Sequence, residues 1–225
     1  MLSAIMEDYV KAIYYLQDET DERVRTSTLA EHMGVEQSSV TSMVKKLAER
    51  DFIDYKPYKG VELTDTGTTI ALEIIRHHRL LERYLAEHLE YDWAEVHDEA
   101  DRLEHHISDQ FVDRIAEQLG NPAVDPHGDP IPTADLDVSA PRCGETLADH
   151  QVGASVRIER VPDEDADLLR YLSEHGLHPG TEVKIVEVTS FGMVTLDPDG
   201  GDELVALPEK VARSVSAQSL AEGSN

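Results

Sequence analysis

Between Val96 and His106 the chain reads VHDEADRLEHH, a stretch dense in histidine and carboxylate. An α-helix advances about 100° per residue, so His97, Asp101, Glu104 and His105 fall within one arc of roughly 100°. Asp98, Glu99, Arg102 and His106 point mostly elsewhere, as a solvated face would. An earlier stretch offers His78 and Glu82, spaced i and i+4 and so stacked on one helix face. Asp8 could supply another oxygen. Imidazole nitrogen combined with several oxygens suits Mn(II), Fe(II) or Zn(II) rather than copper(I), which favours sulfur. The competing expectation is the surface of an acidic helix that binds nothing.

Composition bounds that choice. The 225 residues include 46 acidic and 20 basic side chains, a formal charge of −26. Such a charge argues against nucleic acid, because affinity for DNA comes mainly from Lys and Arg neutralising phosphates. Acid spread over a whole chain is also how a protein stays soluble where high salt screens repulsion, so a halophilic origin is expected. The informative signal is then where acid is missing. A single cysteine, Cys143, leaves histidine and carboxylate as the metal donors. The opening MLSAIMEDYVKAIYYL mixes charge with apolar residues, and no long apolar run follows. Neither a membrane span nor a signal peptide is expected, which places the protein in the cytoplasm.

The elements that must position these donors follow from periodicity. Tyr9, Ala12, Ile13 and Leu16 predict a first helix over Asp8–Gln17. Leu29, Ala30 and Met33 predict a short helix with Ser27 as its cap, and Gly34 permits a sharp turn. Val40, Met43, Val44 and Leu47 then form the inner face of a second helix, and DYKPYKGVELT reads as a hairpin. Together these make a winged helix-turn-helix. A long helix is predicted from Asp65, as cap, to about His88, with Ile70, Ile74, Leu81 and Leu85 on one stripe. Glu95 to Leu119 should give two shorter helices broken near Ser108, and the helices offer enough apolar surface for a dimer interface. Residues 120–145, rich in Pro, Gly and Asp, read as a connector. ASVRIERV, EVKIVEV and MVTLD, with a helical DADLLRYLSEH after the first, predict a small β-barrel.

Residues 37–60 carry five Lys or Arg against three carboxylates, a local escape from the acid. In a helix-turn-helix the second helix enters the major groove, which would put Gln37, Ser38, Ser39, Thr41 and Ser42 at base edges. Lys45, Lys46, Lys56 and Lys59 would contact phosphates. The alternative is a protein–protein module, against which the basic, aromatic hairpin weighs.

With both pieces present, the chain resembles the diphtheria toxin repressor family of metal-dependent transcriptional regulators. MEDYVKAIYYL, LAEHMGVEQSSVTSMVKKL, GVELTDTG, HHRLLERYL, VHDEADRLEHHISD and PHGDPIPT carry the resemblance, which covers nearly the whole chain. It implies a mainly α fold with a small β domain. The expected domains are a winged helix-turn-helix DNA-binding domain over 1–65 and a helical metal-binding and dimerisation domain over 66–124. A Pro-rich linker over 125–145, an SH3-like (FeoA-like) β-barrel over 146–217 and a disordered tail over 218–225 follow. It further implies a primary metal site of Asp8, Asp101, Glu104 and His105, and an ancillary site of His78, Glu82 and His97 with a third-domain donor near Asp165. Carboxylates at Asp8 and Asp101, where iron-type members carry sulfur, point to Mn(II), with Fe(II) as the alternative; an acidic ligand of manganese-type members falls instead at Lys11. The implied partners are a second copy of the chain and a near-palindromic double-stranded DNA operator, usually of metal-uptake genes. A His/carboxylate metalloenzyme is the alternative from another class, and no general base or substrate pocket can be nominated for it.

Overall fold

The computed structural model describes residues 2–20, 22–138, 144–163, 165–198 and 203–220. Its first unit is built on α1 (Ala4–Thr20), α2 (Thr26–His32) and α3 (Gln37–Glu49). The predicted apolar stripes converge: Tyr9, Ile13, Leu29, Val40, Val44 and Leu47 are all buried in one core. Gly34 takes φ 63 between α2 and α3, the left-handed turn that glycine permits. The wing follows as β1 (Ile53–Lys56) and β2 (Gly60–Leu63), antiparallel with Ile53 opposite Leu63 and Lys56 opposite Gly60. Gly60 is there for room as well as angle: a Cβ would lie 2.4 Å from the Val24 carbonyl oxygen, where Val24 bridges to Val61.

Two predicted caps move. The residue before α2 is Arg25, whose side chain makes no capping bond, so Ser27 lies inside the helix. Before α4 (Asp65–His88) it is Thr64, not Asp65, whose hydroxyl accepts from the Gly67 N–H at 3.1 Å; Asp65 instead places its charge in the first turn. α4 is the spine of the molecule, 24 residues and so about 36 Å long. α1 packs along it from the first unit, and α5 (Val96–Leu103) and α6 (Asp109–Gln118) pack along it from the second. Ser108 caps α6, accepting from Phe111 N–H, at the predicted break. Leu81, Leu85, Val96, Ala100, Val112 and Ile115 form the second core.

The third unit is one antiparallel five-stranded sheet, in the order β6-β5-β4-β3-β7, the small β domain that the strand pattern predicted. β3 (Ser155–Arg160), β4 (Glu182–Val188) and β5 (Met193–Pro198) match the three predicted strands, and α7 (Ala166–Glu174) the inserted helix. β6 (Val205–Pro208), α8 (Glu209–Ala212) and β7 (Ser216–Ser219) complete it. β7 pairs with β3 and continues two residues past the expected boundary at 217; the last five residues of the expected tail lie outside the described residues. Trp93 and Ala94, just after α4, pack on this third core and so key the sheet to the helical unit.

The Pro-rich connector is not loose. Asp125, His127, Asp129 and Ile131 are buried, and the Val161 N–H donates to the His127 carbonyl at 2.9 Å. Gly128 is the point of closest approach: φ is 93, and an added Cβ would stand 2.0 Å from the Glu159 carbonyl oxygen. Gly128→Ala is expected to destabilise the docked third unit by about 2–3 kcal/mol, from strain and forced separation together. Urea unfolding followed by the fluorescence of Trp93, the only tryptophan, would show it; an unchanged midpoint would contradict this packing.

Candidate metal centre and DNA-reading face

α5 ends at Leu103, but Glu104 keeps helical angles (φ −54, ψ −32) and its N–H bonds the Ala100 carbonyl at 2.9 Å. The arc inferred from spacing therefore survives to the end of the helix, where it meets α1. His105 stands between carboxylates, its ring nitrogens 2.7 Å from Glu7 Oε2 and 2.8 Å from Asp8 Oδ1. Its Nε2 is also 3.4 Å from Glu104 Oε1. Asp8, Glu104 and His105 each aim one donor atom so that the three lie within 4.8 Å of one another. Glu104 is buried, with Oε1 accepting from Lys11 Nζ at 2.7 Å and Oε2 lying 2.6 Å from His78 Nδ1. Asp101 accepts from the same ammonium at 3.0 Å and lies 3.2 Å from His78 Nδ1.

His78 joins what the sequence comparison kept apart. Its Nδ1 faces Glu104 and Asp101, while its Nε2 lies 2.9 Å from Glu82 Oε1 and 3.1 Å from His97 Nδ1. The structure thus sets the nominal ancillary histidine against the primary group. Around Glu82 lies a second cluster. His97 Nδ1 is 3.1 Å from Glu82 Oε1 and 3.5 Å from Asp163 Oδ2, and Glu82, Asp125 and His127 form a fully buried trio within the same 4.8 Å limit.

The third-domain carboxylate in this cluster is Asp163, not Asp165. Asp165 caps α7, its Oδ1 accepting from the N–H groups of Asp167 at 3.0 Å and Leu168 at 3.1 Å. Asp125, His127 and Asp163 were missed in the sequence. The first two form an Asp-x-His pair in DPHGDP, a donor signal overshadowed there by Pro and Gly.

The electrostatics follow from burial set against neighbouring charge. Burial pushes the Asp8 carboxyl up, and His105 and Lys11 only partly offset it. Burial would drive the Glu82 carboxyl up as well, but the charge of His78 and hydrogen bonds from His78 and His97 hold it well below its usual range. His78 is the mirror case: burial opposes its charge, and Glu82, Asp101 and Glu104 outweigh that and raise its pKa. Asp125 is pushed well up by burial and by the charges of Glu82 and Asp129.

Whether these residues suit an ion can be judged from what they leave unsatisfied. The buried side-chain atoms without a hydrogen bond among the described residues include Glu82 Oε2, Asp125 Oδ2 and His127 Nδ1, with Asp125 Oδ2 held only by the longer ion pair to Arg79 at 3.6 Å. An unsatisfied buried polar atom costs about 1–3 kcal/mol, and three in one cluster is what a divalent cation would relieve. The donors at both clusters are imidazole nitrogen and carboxylate oxygen, a set that fits Mn(II) and Fe(II). A cavity of about 380 Å3 lined by Asp8, Lys11, Tyr15, His78, Asp101 and Asp163 borders both clusters.

The expected reading residues lie on α3 and on the wing of the first unit. Gln37, Ser38, Ser39, Ser42, Lys45 and Lys46 are exposed on α3, with Thr41 half-buried, while Val40, Val44 and Leu47 turn inward. Thr41 and Ser42 donate to the carbonyls of Gln37 and Ser38, leaving their hydroxyl oxygens to accept. Lys56 and Lys59 are exposed on the wing, flanking a fully exposed Tyr58, and Lys56 pairs with Asp54 at 3.0 Å.

Comparison with known proteins matches this layout unit by unit. The family model described as the iron dependent repressor N-terminal DNA binding domain matches residues 1–61. The one described as the iron dependent repressor metal binding and dimerisation domain matches residues 64–133. The iron-dependent repressor IdeR of Mycobacterium tuberculosis is 30% identical over 227 residues, spanning 95% of this chain and 96% of its own length. The chain belongs to the iron-dependent repressor family.

In this repressor-family chain the FeoA domain model also matches residues 145–218, which coincide with the five-stranded sheet and its helices. Among solved structures, a manganese-dependent transcriptional repressor in complex with manganese superposes with a TM-score of 0.86 at 38% identity, over 96% of this chain and all of the other. The manganese regulator SloR superposes at 0.76 with 35% identity, over 96% and 98%. Members of the family are transcriptional repressors rather than enzymes, which removes the metalloenzyme alternative. Both metals suggested by the donor set are represented among the relatives' names. No helix among the described residues is long and apolar enough to cross a membrane.

Proposed function

We propose that this repressor responds to Mn(II), held by Asp8, Asp101, Glu104, His105 and His78, with a second ion at Glu82, His97, Asp125, His127 and Asp163. The observation that carries the proposal is the meeting of Asp8 with Glu104 and His105 across two units of the fold. α1 belongs to the core that supports α3, since Met6, Tyr9, Val10 and Ile13 are buried with Val40 and Leu47. The position of Asp8 is therefore tied to that of the DNA-reading helix. Glu104 and His105 belong to the helical unit. Asp8, Asp101 and Glu104 repel one another at this junction, and a divalent cation bound there would supply the charge that favours the closed arrangement. Differential affinity for one arrangement is the requirement for an allosteric effector.

Two copies, joined through the helical unit, would present two α3 helices to successive major grooves of a near-palindromic operator. Such a regulator would act in the cytoplasm. Hard oxygens at Asp8 and Asp101 favour Mn(II), whereas the iron-dependent naming of relatives such as IdeR favours Fe(II) as the second reading. The acidic surface further predicts that operator binding persists at molar potassium chloride. The test is anisotropy of labelled DNA carrying an inverted repeat from upstream of a metal-uptake gene, titrated in high potassium salt. Mn(II) should tighten binding at least about tenfold and a chelator should reverse it. Binding indifferent to metal, or tighter with Fe(II) than with Mn(II) at their cellular concentrations, would contradict the assignment.

A further inference from the structure

We infer that Lys11 is a built-in competitor for the metal centre: its ammonium holds Asp101 and Glu104 together, and a divalent ion gains those carboxylates only by displacing it. The inference rests on the metal-dependent function proposed above. Lys11 lies on α1 one turn beyond Asp8, and its Nζ donates across the junction to Asp101 Oδ1 at 3.0 Å and Glu104 Oε1 at 2.7 Å. The contact is sheltered, with the Lys11 side chain 14% exposed and that of Glu104 fully buried. The Glu104 oxygen that Lys11 holds is the one facing His105, 3.4 Å from Nε2. Ammonium and metal ion therefore contend for the same oxygen.

This arrangement gives Lys11 two roles of opposite sign. Without metal it screens the repulsion among Asp8, Asp101 and Glu104 and bridges α1 to the end of α5, keeping the junction intact. With metal arriving, the ammonium must give up Asp101 and Glu104 yet stays tethered nearby on α1, which lowers affinity, so the centre loads only when free ion is plentiful. Buried charges at such separations interact strongly enough to shift a dication's affinity by at least about tenfold. Lys11 thus sets the concentration at which the repressor switches.

Calorimetric titration of the full chain with Mn(II) in molar potassium chloride tests this, scoring the binding event that His105→Ala abolishes. Lys11→Met should bind Mn(II) at least about tenfold more tightly than wild type, yet melt at a lower temperature in a chelator. Lys11→Arg, which keeps the charge, should stay within about threefold of wild type. Lys11→Gln should behave as Lys11→Met does and serves if the methionine variant does not fold. Unchanged or weaker Mn(II) binding by the neutral variants overturns the inference alone. Absence of Mn(II) binding by wild type overturns the proposed function and this inference together.

Discussion

Replacing His105 with alanine is expected to weaken Mn(II) binding by at least about 100-fold and to abolish metal-stimulated DNA binding while leaving the fold intact. Loss of an outer-shell partner alone typically lowers metal affinity by about 10–100-fold, and His105 is proposed as a direct ligand. Its ring is the pivot of the junction, lying against Glu7 and Asp8 from α1 and Glu104 from the helical unit. The His105 side chain is 9% exposed and lies outside the apolar cores, so what the substitution removes is chiefly its contacts with the carboxylates. Asp98→Asn, on the exposed face of α5, is the control and should change neither quantity. Calorimetry with Mn(II) and operator anisotropy report the two effects separately. A variant that keeps wild-type affinity would remove His105 from the centre.

The second large effect is on stability. Arg79→Met is expected to destabilise the protein by about 3–5 kcal/mol, the usual consequence of removing one partner of a buried ion pair. The Arg79 guanidinium is almost wholly buried, with Nη2 3.1 Å from Asp129 Oδ1, Nε 3.6 Å from Asp125 Oδ2, and a further bond to the Pro130 carbonyl. Asp129 also accepts from Arg160 Nε at 2.7 Å, so one carboxylate ties α4 to the end of β3. Losing Arg79 leaves Asp125 and Asp129 buried with less compensating charge and loosens the segment that holds His127 and Asp163 near the second cluster. Chemical denaturation followed by Trp93, whose indole N–H donates to the Pro126 carbonyl at 3.0 Å, would register the loss. Arg102→Met, at a 72% exposed side chain, should fall within about 0.5 kcal/mol of wild type.

The parts of this structure legible in the sequence are those set by local period. α3 and α4 follow directly from apolar stripes, and the arc of His97, Asp101, Glu104 and His105 needed only helical geometry. Cap assignments slipped by one or two residues where polar side chains stood in a row, as at Arg25–Thr26–Ser27 and Thr64–Asp65. β6 and β7 were missed because VALP and SAQS are short and carry weak alternation; their pairing with β5 and β3 supplies what local propensity does not.

At Asp165 a second role was legible locally. An aspartate ahead of ADLLRYL is a helix N-cap, and one oxygen of its carboxylate is thereby committed to backbone N–H groups. Asp163, two residues earlier, had no such commitment. The docking of the connector was illegible for a different reason. Pro and Gly composition predicts irregular backbone correctly, but burial of that backbone against β3 depends on the close approach at Gly128 and on the charges of Arg79 and Arg160, both distant in sequence.

The central claim is that a metal ion joins α1 of the DNA-binding unit to the end of α5. Anomalous diffraction at the manganese edge, from crystals of the full chain grown with Mn(II) and high potassium salt, tests it most directly. The account predicts a peak in every protomer within coordination distance of Asp8, Glu104 and His105, with Lys11 Nζ withdrawn from Glu104. Peaks confined to exposed surface carboxylates, with this junction empty at saturating Mn(II), would contradict it.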